Sequence, residues 1–448
     1  MSMMSSSSLL SRRAPPRTPE LELPVPPEFR CPISLELMRD PVVGPTGITY
    51  DRAGIEAWLL AAGAGTTTCP VTKGDLCADD LVPNHALRRV IQAWCVANRC
   101  RGVERIPTPR VPVTPAQAGE ALAEVEAAAR AGEAAWCVAA VREVGRLARE
   151  SDRDRRCLAS AGAARSLAAA VASFAATDSL SLVLDDVLAA LVLVMPLDEE
   201  AITAIGSSTA SVALLASVAK HGDLQRRLPA VVVIREIVAC SCTRTGGAID
   251  LNDNLDGIIE VLVKTIRDPI SPQATKASLV AAYHLALADD HAAARLAEAG
   301  LVPALVELLI DGDRSTTEKA LAALDATLAT DAGSARARAD ALAVPVLVKK
   351  MFRVSDTATE LVVSALYRIC KKCHDGEELP AAVAARRSAV VEAVQVGAFQ
   401  KLMMLLQVGC REATKEKANE LLKLMIKCEA RGGDCIDAMD FRGLRRVS

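Results

Sequence analysis

The chain has 448 residues, enough for two or three domains, and is 51% hydrophobic but only 2% aromatic, which excludes a core built on Phe, Tyr and Trp. Ala, Leu and Val must fill the interior, and the first two are strong helix formers, so the composition favours a mostly α body. A formal net charge of −3 gives no general pull toward nucleic acid or anionic membrane, and the longest apolar run, 187–197, is broken by Pro196. A spanning helix needs about 20 apolar residues.

Residues 1–24 are rich in Ser, Pro and Arg and read as a disordered tail. Their Ser/Arg-rich, acid-poor texture has a faint likeness to an organelle transit peptide, and they lack the apolar core of a secretory signal. The 14 cysteines are therefore expected to be reduced and mostly buried, with the cytoplasm as the default location and nuclear entry left open.

The texture changes over 25–101, where Tyr50, Trp58 and Trp94 fall and turn signals recur at Gly44-Pro45, Thr46-Gly47 and Gly63-Ala64-Gly65. The expected order is a loop, a short hairpin around 42–50, a helix over 52–60, a second loop, and a helix over 84–98 with Asn84 as its N-cap. Residues 102–115 form a linker: four prolines between Ile106 and Pro115 oppose helix and favour extended chain.

From 116 to 430 the sequence is nearly all helical and it repeats, before a tail over 431–448. A Gly or Ala followed by an apolar helix recurs at Gly162, Gly206, Gly257, Gly300, Ala343 and Gly397, at intervals of about 43 to 54 positions, near the period of helical solenoid repeats. In the clearest unit Leu301, Ala304, Leu305, Leu308 and Leu309 share one face, and Ala320, Leu321, Leu324 and Leu328 share another. One such unit cannot bury its own face, so the units must stack. Leu301-Val-Pro-Ala-Leu-Val-Glu-Leu-Leu309 followed by Thr317-Glu-Lys-Ala-Leu-Ala-Ala-Leu324 resembles the armadillo repeat, as does 398–406 followed by 414–422. Repeats before Gly257 are degenerate and their register is open.

Two loops around a helix, at this size, suggest a RING-type module. Two tetrahedral zinc sites need eight ligands, whereas 25–101 offers only Cys31, Cys69, Cys77, Cys95, Cys100 and His85, with no Cys-x-x-Cys pair. A metal-bound RING is excluded. Without metal the fold needs hydrogen bonds and charge pairs at the vacated positions, with Ser34, Glu36, Asp51, Arg52, Lys73 and Asp75 as unpaired candidates. Phe29-Arg-Cys-Pro-Ile-Ser-Leu-Glu-Leu-Met-Arg-Asp-Pro-Val-Val43 resembles the opening of a U-box, the metal-free relative of the RING. Gly47-Ile-Thr-Tyr-Asp-Arg52, Ile55-Glu-Ala-Trp-Leu59, Cys69-Pro-Val-Thr-Lys73 and Leu81-Val-Pro-Asn84 continue the pattern in order. The whole is similar to the plant U-box/armadillo ubiquitin ligases, particularly a subgroup associated with stress and immune signalling.

That resemblance implies a small α+β U-box followed by an all-α armadillo solenoid, with no metal and no cofactor. It implies a scaffold that brings a conjugating enzyme, carrying ubiquitin as a thioester, to lysines of protein substrates held by the armadillo groove; no nucleophile of this chain is used. By motif position Ile33, Trp58 and Pro70 form the docking patch for the conjugating enzyme, and Lys73 is the candidate for orienting ubiquitin. U-box relatives self-associate, so a homo-oligomer stays open. The alternative is a non-catalytic armadillo adaptor. Thr108-Pro109 and Thr114-Pro115 match proline-directed kinase sites. Cys370-Lys-Lys-Cys373-His374 fits a haem-attachment pattern but ends an amphipathic helix and reads as repeat core, as do Cys240 and Cys242. His221, His284 and His291 have no partners at metal-ligand spacing.

Overall fold

A computed structural model describes residues 25–61, 68–77, 80–106, 112–174, 177, 180–243, 249–371 and 380–429. The chain separates into two compact units, divided between 111 and 112.

In the first unit three short strands form an antiparallel sheet in the order β2-β1-β3: β1 (Pro41–Val43), β2 (Thr49–Asp51) and β3 (Val82–Pro83). Val42 pairs with Tyr50 on one side and with Pro83 on the other. The hairpin lies where the sequence predicts it, and β3, two residues long, was not anticipated. Helix α1 (Arg52–Ala61) follows directly from β2, and α2 (His85–Ala97) is capped by Asn84, whose side chain accepts the Leu87 N–H. The core gathers Phe29, Met38, Val42, Tyr50, Ile55, Leu76 and Ile91. Ile106 joins it from the proline-rich segment, while Val113 belongs to the core of the second unit.

The second unit begins with α3 (Pro115–Ala131) and α4 (Ala134–Glu150). Pro115, the last linker proline, is the first residue of α3, where its missing N–H costs nothing. Triplets follow: α5 (Asp152–Ser160), α6 (Ala163–Phe174) and α7 (Leu180–Leu193), then α8 (Glu199–Gly206), α9 (Thr209–His221) and α10 (Leu224–Thr243). A pair, α11 (Leu255–Arg267) and α12 (Pro272–Ala288), interrupts the pattern. It resumes with α13 (Asp290–Glu298), α14 (Leu301–Asp311) and α15 (Arg314–Thr327). Next come α16 (Asp331–Ala339), α17 (Ala343–Lys350) and α18 (Asp356–Cys370), then α19 (Pro380–Gln395), α20 (Ala398–Val408) and α21 (Glu412–Glu429). The last helix of each unit packs on its counterpart in the next, giving a continuous ladder α4-α7-α10-α12-α15-α18-α21.

The repeat marks hold in part. Gly162, Gly300 and Gly397 adopt left-handed backbone (φ 91, 89 and 85) just before the second helix of their triplets. Gly206 and Gly257 do not: one ends α8 and the other lies inside α11. Gly206 is there for space, since a Cβ would stand 2.9 Å from Ile249 Cδ1. Ala320, Leu321, Leu324 and Leu328 are buried, and so are Leu301, Ala304, Leu305 and Leu309. Cys370 is buried beside Leu366 and Ile369, and burial pushes its thiol up to about 12, which suits a core residue. Cys373 and His374 lie outside the described residues. Cys240 and Cys242 are half-buried against the same core, and His284 meets Tyr283 edge-on.

Candidate functional site: two matched loops on a helix

The loops at 30–37 and 68–75 have one hydrogen-bond scheme. Cys31 N–H donates to Glu36 O and Leu35 N–H to Cys31 O, both at 2.8 Å. Cys69 N–H donates to Gly74 O at 2.8 Å and Lys73 N–H to Cys69 O at 3.0 Å. Each loop is closed by one bridge, Arg30 to Leu37 and Thr68 to Asp75. Leu35 and Lys73, at equivalent positions, both have φ 60, a conformation that bulky residues rarely adopt. The duplication has a sequence trace that was not used: Cys-Pro-Ile-Ser in the first loop matches Cys-Pro-Val-Thr in the second.

Hydrogen bonds surround both thiols. Cys31 Sγ accepts the Asp51 N–H at 3.3 Å. Cys69 Sγ accepts the Thr72 N–H at 3.3 Å and lies 2.9 Å from the Tyr50 hydroxyl and 3.6 Å from Thr46 Oγ1. Burial alone would raise the Cys69 thiol, but the bonds from Thr72, Tyr50 and Thr46 outweigh it and lower it to about 6. Burial and the neighbouring sulfur push the Tyr50 phenol up, so Tyr50 is the donor.

Charge pairs hold the rest of the frame. Asp40 Oδ2 accepts from Arg52 Nε at 2.7 Å and Asp40 Oδ1 from Arg88 Nη2 at 2.5 Å, joining the ends of β1, α1 and α2. Asp51 Oδ1 accepts the N–H groups of Arg39 and Asp40 at 2.7 and 2.8 Å. Of the polar candidates, Asp51 and Arg52 take these structural roles. Ser34 Oγ accepts the Glu36 N–H within its loop at 3.4 Å, while the loop bonds of Glu36 and Lys73 described above, like the Asp75 bridge, use main-chain groups. Asp40 and Arg88 were missed because their partners are distant in sequence.

The loops flank one face of α1. A Cβ at Gly54 would stand 3.9 Å from the Ile33 Cβ and 3.5 Å from Cys31 Sγ, so the first loop rests on the first turn of the helix. Trp58 lies one turn further along the same face. Its indole Nε1 donates to Thr68 O at 3.0 Å, which ties the helix to the second loop two residues before Pro70. Ile33, Trp58 and Pro70 are thus brought to one surface. Trp58 keeps 39% of its area exposed, Ile33 and Pro70 are half-buried, and Lys73 is exposed. Two apolar neighbours were not singled out in the sequence: Leu35, 69% exposed, and Val71, 51% exposed. Thr114 is not free linker: its hydroxyl accepts the Gln117 N–H as the N-cap of α3, with Gln117 reciprocating. Thr108 lies outside the described residues.

The chain matches the U-box domain over residues 25–100 and the plant U-box protein ARM repeat region over residues 119–445. It is 37% identical to U-box domain-containing protein 21 of Arabidopsis thaliana, over 96% of this chain and 95% of that one. To U-box domain-containing protein 20 of the same plant it is also 37% identical, over 91% and 88%. To the Arabidopsis E3 ubiquitin-protein ligase PUB23 it is 33% identical, over 90% and 93%. With a two-loop module ahead of an armadillo ladder, and both matched along their length, the chain belongs to the plant U-box proteins with armadillo repeats and is a ubiquitin-protein transferase of the U-box type.

Proposed function

We propose that Ile33, Trp58 and Pro70 dock a ubiquitin-charged conjugating enzyme, with Leu35 and Val71 extending the apolar rim. The observation that carries this reading is the tether between Trp58 Nε1 and Thr68 O, which fixes a large exposed ring between the two loops. The chemistry needs no nucleophile from this chain. A substrate lysine amine attacks the thioester carbonyl, and the conjugating-enzyme thiolate leaves. The ligase contributes proximity and orientation. Lys73 extends from the rim of the second loop, where its ammonium can donate to carbonyl groups of ubiquitin and its carrier from a single point.

Protein substrates are recruited by the ladder of the second unit, whose stacked helices offer an extended surface. Stress or defence signalling is the proposed setting, on the likeness of the sequence motifs to that subgroup, and the cytoplasm, with entry to the nucleus, is the proposed location. Thr114, and Thr108 with it, are proposed targets of proline-directed kinases.

The test is self-ubiquitination of the full chain with ubiquitin, activating enzyme, ATP and a panel of conjugating enzymes, beside Ile33→Ala and Trp58→Ala. Ladders that fall by about tenfold or more in folded variants support docking at this patch. Ladders unchanged in both variants would move the docking site elsewhere, and no ladder from any conjugating enzyme would favour the adaptor reading.

A further inference from the structure

One edge of the solenoid carries a feature that the ligase chemistry does not use. An exposed apolar residue sits three positions ahead of the residue that precedes each of the last three ladder helices. These are Ile310 before Asp313 and α15, Phe352 before Ser355 and α18, and Val408 before Arg411 and α21. They are 39, 41 and 76% exposed. The same position ahead of α10 and α12 is held by Lys220 and Asp268, so the row stops at α15.

Phe352 is held there against its own preference. Its φ of 63 is a left-handed conformation that bulky residues rarely adopt, and its N–H donates to Thr359 Oγ1 at 3.1 Å. Cations gather around it. Lys349 and Lys350 end α17, Arg353 follows in the turn, and Lys401 on α20 reaches back to Val348 O. Among the described residues none of the four forms an ion pair. Burial, Lys349 and Arg353 hold the Lys350 ammonium below its usual range, against the single opposing pull of Asp311. Burial and Arg353 do the same to Lys401. Met404, one turn beyond Lys401, adds exposed apolar surface.

We propose that this edge binds an extended acidic segment of a partner protein, with apolar side chains of the segment on the Ile310–Phe352–Val408 row and its carboxylates on Lys349, Lys350 and Arg353. Packed helices stand about 8–10 Å apart, close to one turn of polyproline II chain, three residues at about 3.1 Å each, which brings every third side chain to one face. The occupant therefore carries an apolar residue at every third position with acidic residues between. Cations without an ion pair among the described residues, beside exposed apolar groups, match that pattern in charge and in polarity.

The probe is a fluorescein-labelled peptide of leucines separated by pairs of glutamates, read by polarisation against the full-length protein without ubiquitin or conjugating enzyme. The outcome is therefore independent of the ligase reading. The combined Lys349→Glu, Lys350→Glu, Arg353→Glu variant should bind about tenfold or more weakly, and the same peptide with lysines for glutamates should not bind. Phe352→Asn, which tolerates left-handed backbone, should lose affinity while keeping or raising Tm. The proposal is overturned by no binding to the wild type, by equal binding to the charge-reversed variant, or by a fall in Tm with Phe352→Asn that marks the ring as structural. Co-sedimentation with phosphatidylserine vesicles in the absence of peptide binding would equally overturn it, in favour of a membrane contact.

Discussion

Trp58 is the side chain on which the docking proposal turns. Its ring is fixed by the indole N–H and left partly exposed over the two loops. Trp58→Ala should cost under about 2 kcal/mol in urea denaturation while removing most ligase activity, a split that a core residue would not give. Asp40 should behave in the opposite way. It accepts from Arg52 and Arg88 in a half-buried cluster, so Asp40→Ala leaves two cations facing each other and should destabilise the first unit by about 2–4 kcal/mol. Cys69 adds a pH dependence. Its thiol is lowered from an ordinary 9.0 to about 6, so near neutral pH the unfolded chain binds a proton that the folded one does not. Stability of the first unit should therefore rise from pH 6 to 9 and fall as pH drops through about 6. Cys69→Ser should flatten that slope in denaturation curves taken across the range.

At the scale of the element, many of the solenoid helices begin on side-chain caps. Ser151, Asp198, Ser208, Ser271, Asp313, Thr330 and Ser355 each accept an N–H from the first turn that follows. Thr114 does the same for α3 in a reciprocal capping box, and Thr114→Ala should cost about 1 kcal/mol in thermal denaturation of the second unit. Helix ends are met by side chains of other helices: Lys264 Nζ, from the next repeat, donates to Lys220 O at 2.9 Å, and Arg338, within its own triplet, to Ile369 O and Lys371 O at 2.8 and 2.9 Å. Such bonds satisfy carbonyls that a helix leaves open, and the first also stitches one repeat to the next. Gly300 turns the chain into α14 with φ 89 and stands 3.0 Å from Arg267 Nη2 at its would-be Cβ. Gly300→Ala should lower the Tm of the second unit, by the equivalent of about 1 kcal/mol or more.

For the whole molecule, two units with separate cores imply two unfolding transitions. Leu321→Ala, in the fully buried face of α15, should destabilise the second by about 2–5 kcal/mol and leave the first unmoved. Asp40→Ala should do the reverse.

Helices, caps and the order of the two units were legible in the sequence because they depend on neighbours in the chain: apolar residues at spacings of three and four, Asn84 ahead of α2, prolines at the junction. Ile33, Trp58, Pro70 and Lys73 enter the docking proposal through an ordered motif, and the structure adds how Gly54 and Thr68 bring the first three to one face. Pairings across the chain were decided only by the tertiary structure. Asp40 meets Arg88, β3 joins β1, and Gly206 makes room for Ile249 rather than starting a repeat. The same holds for the row Ile310–Phe352–Val408, whose members have ordinary local sequence. Local pattern fixes which face of an element is apolar, because helix and strand periods are set by backbone geometry. Which partner meets that face, and which apolar residues stay uncovered, depends on contacts between elements far apart in sequence.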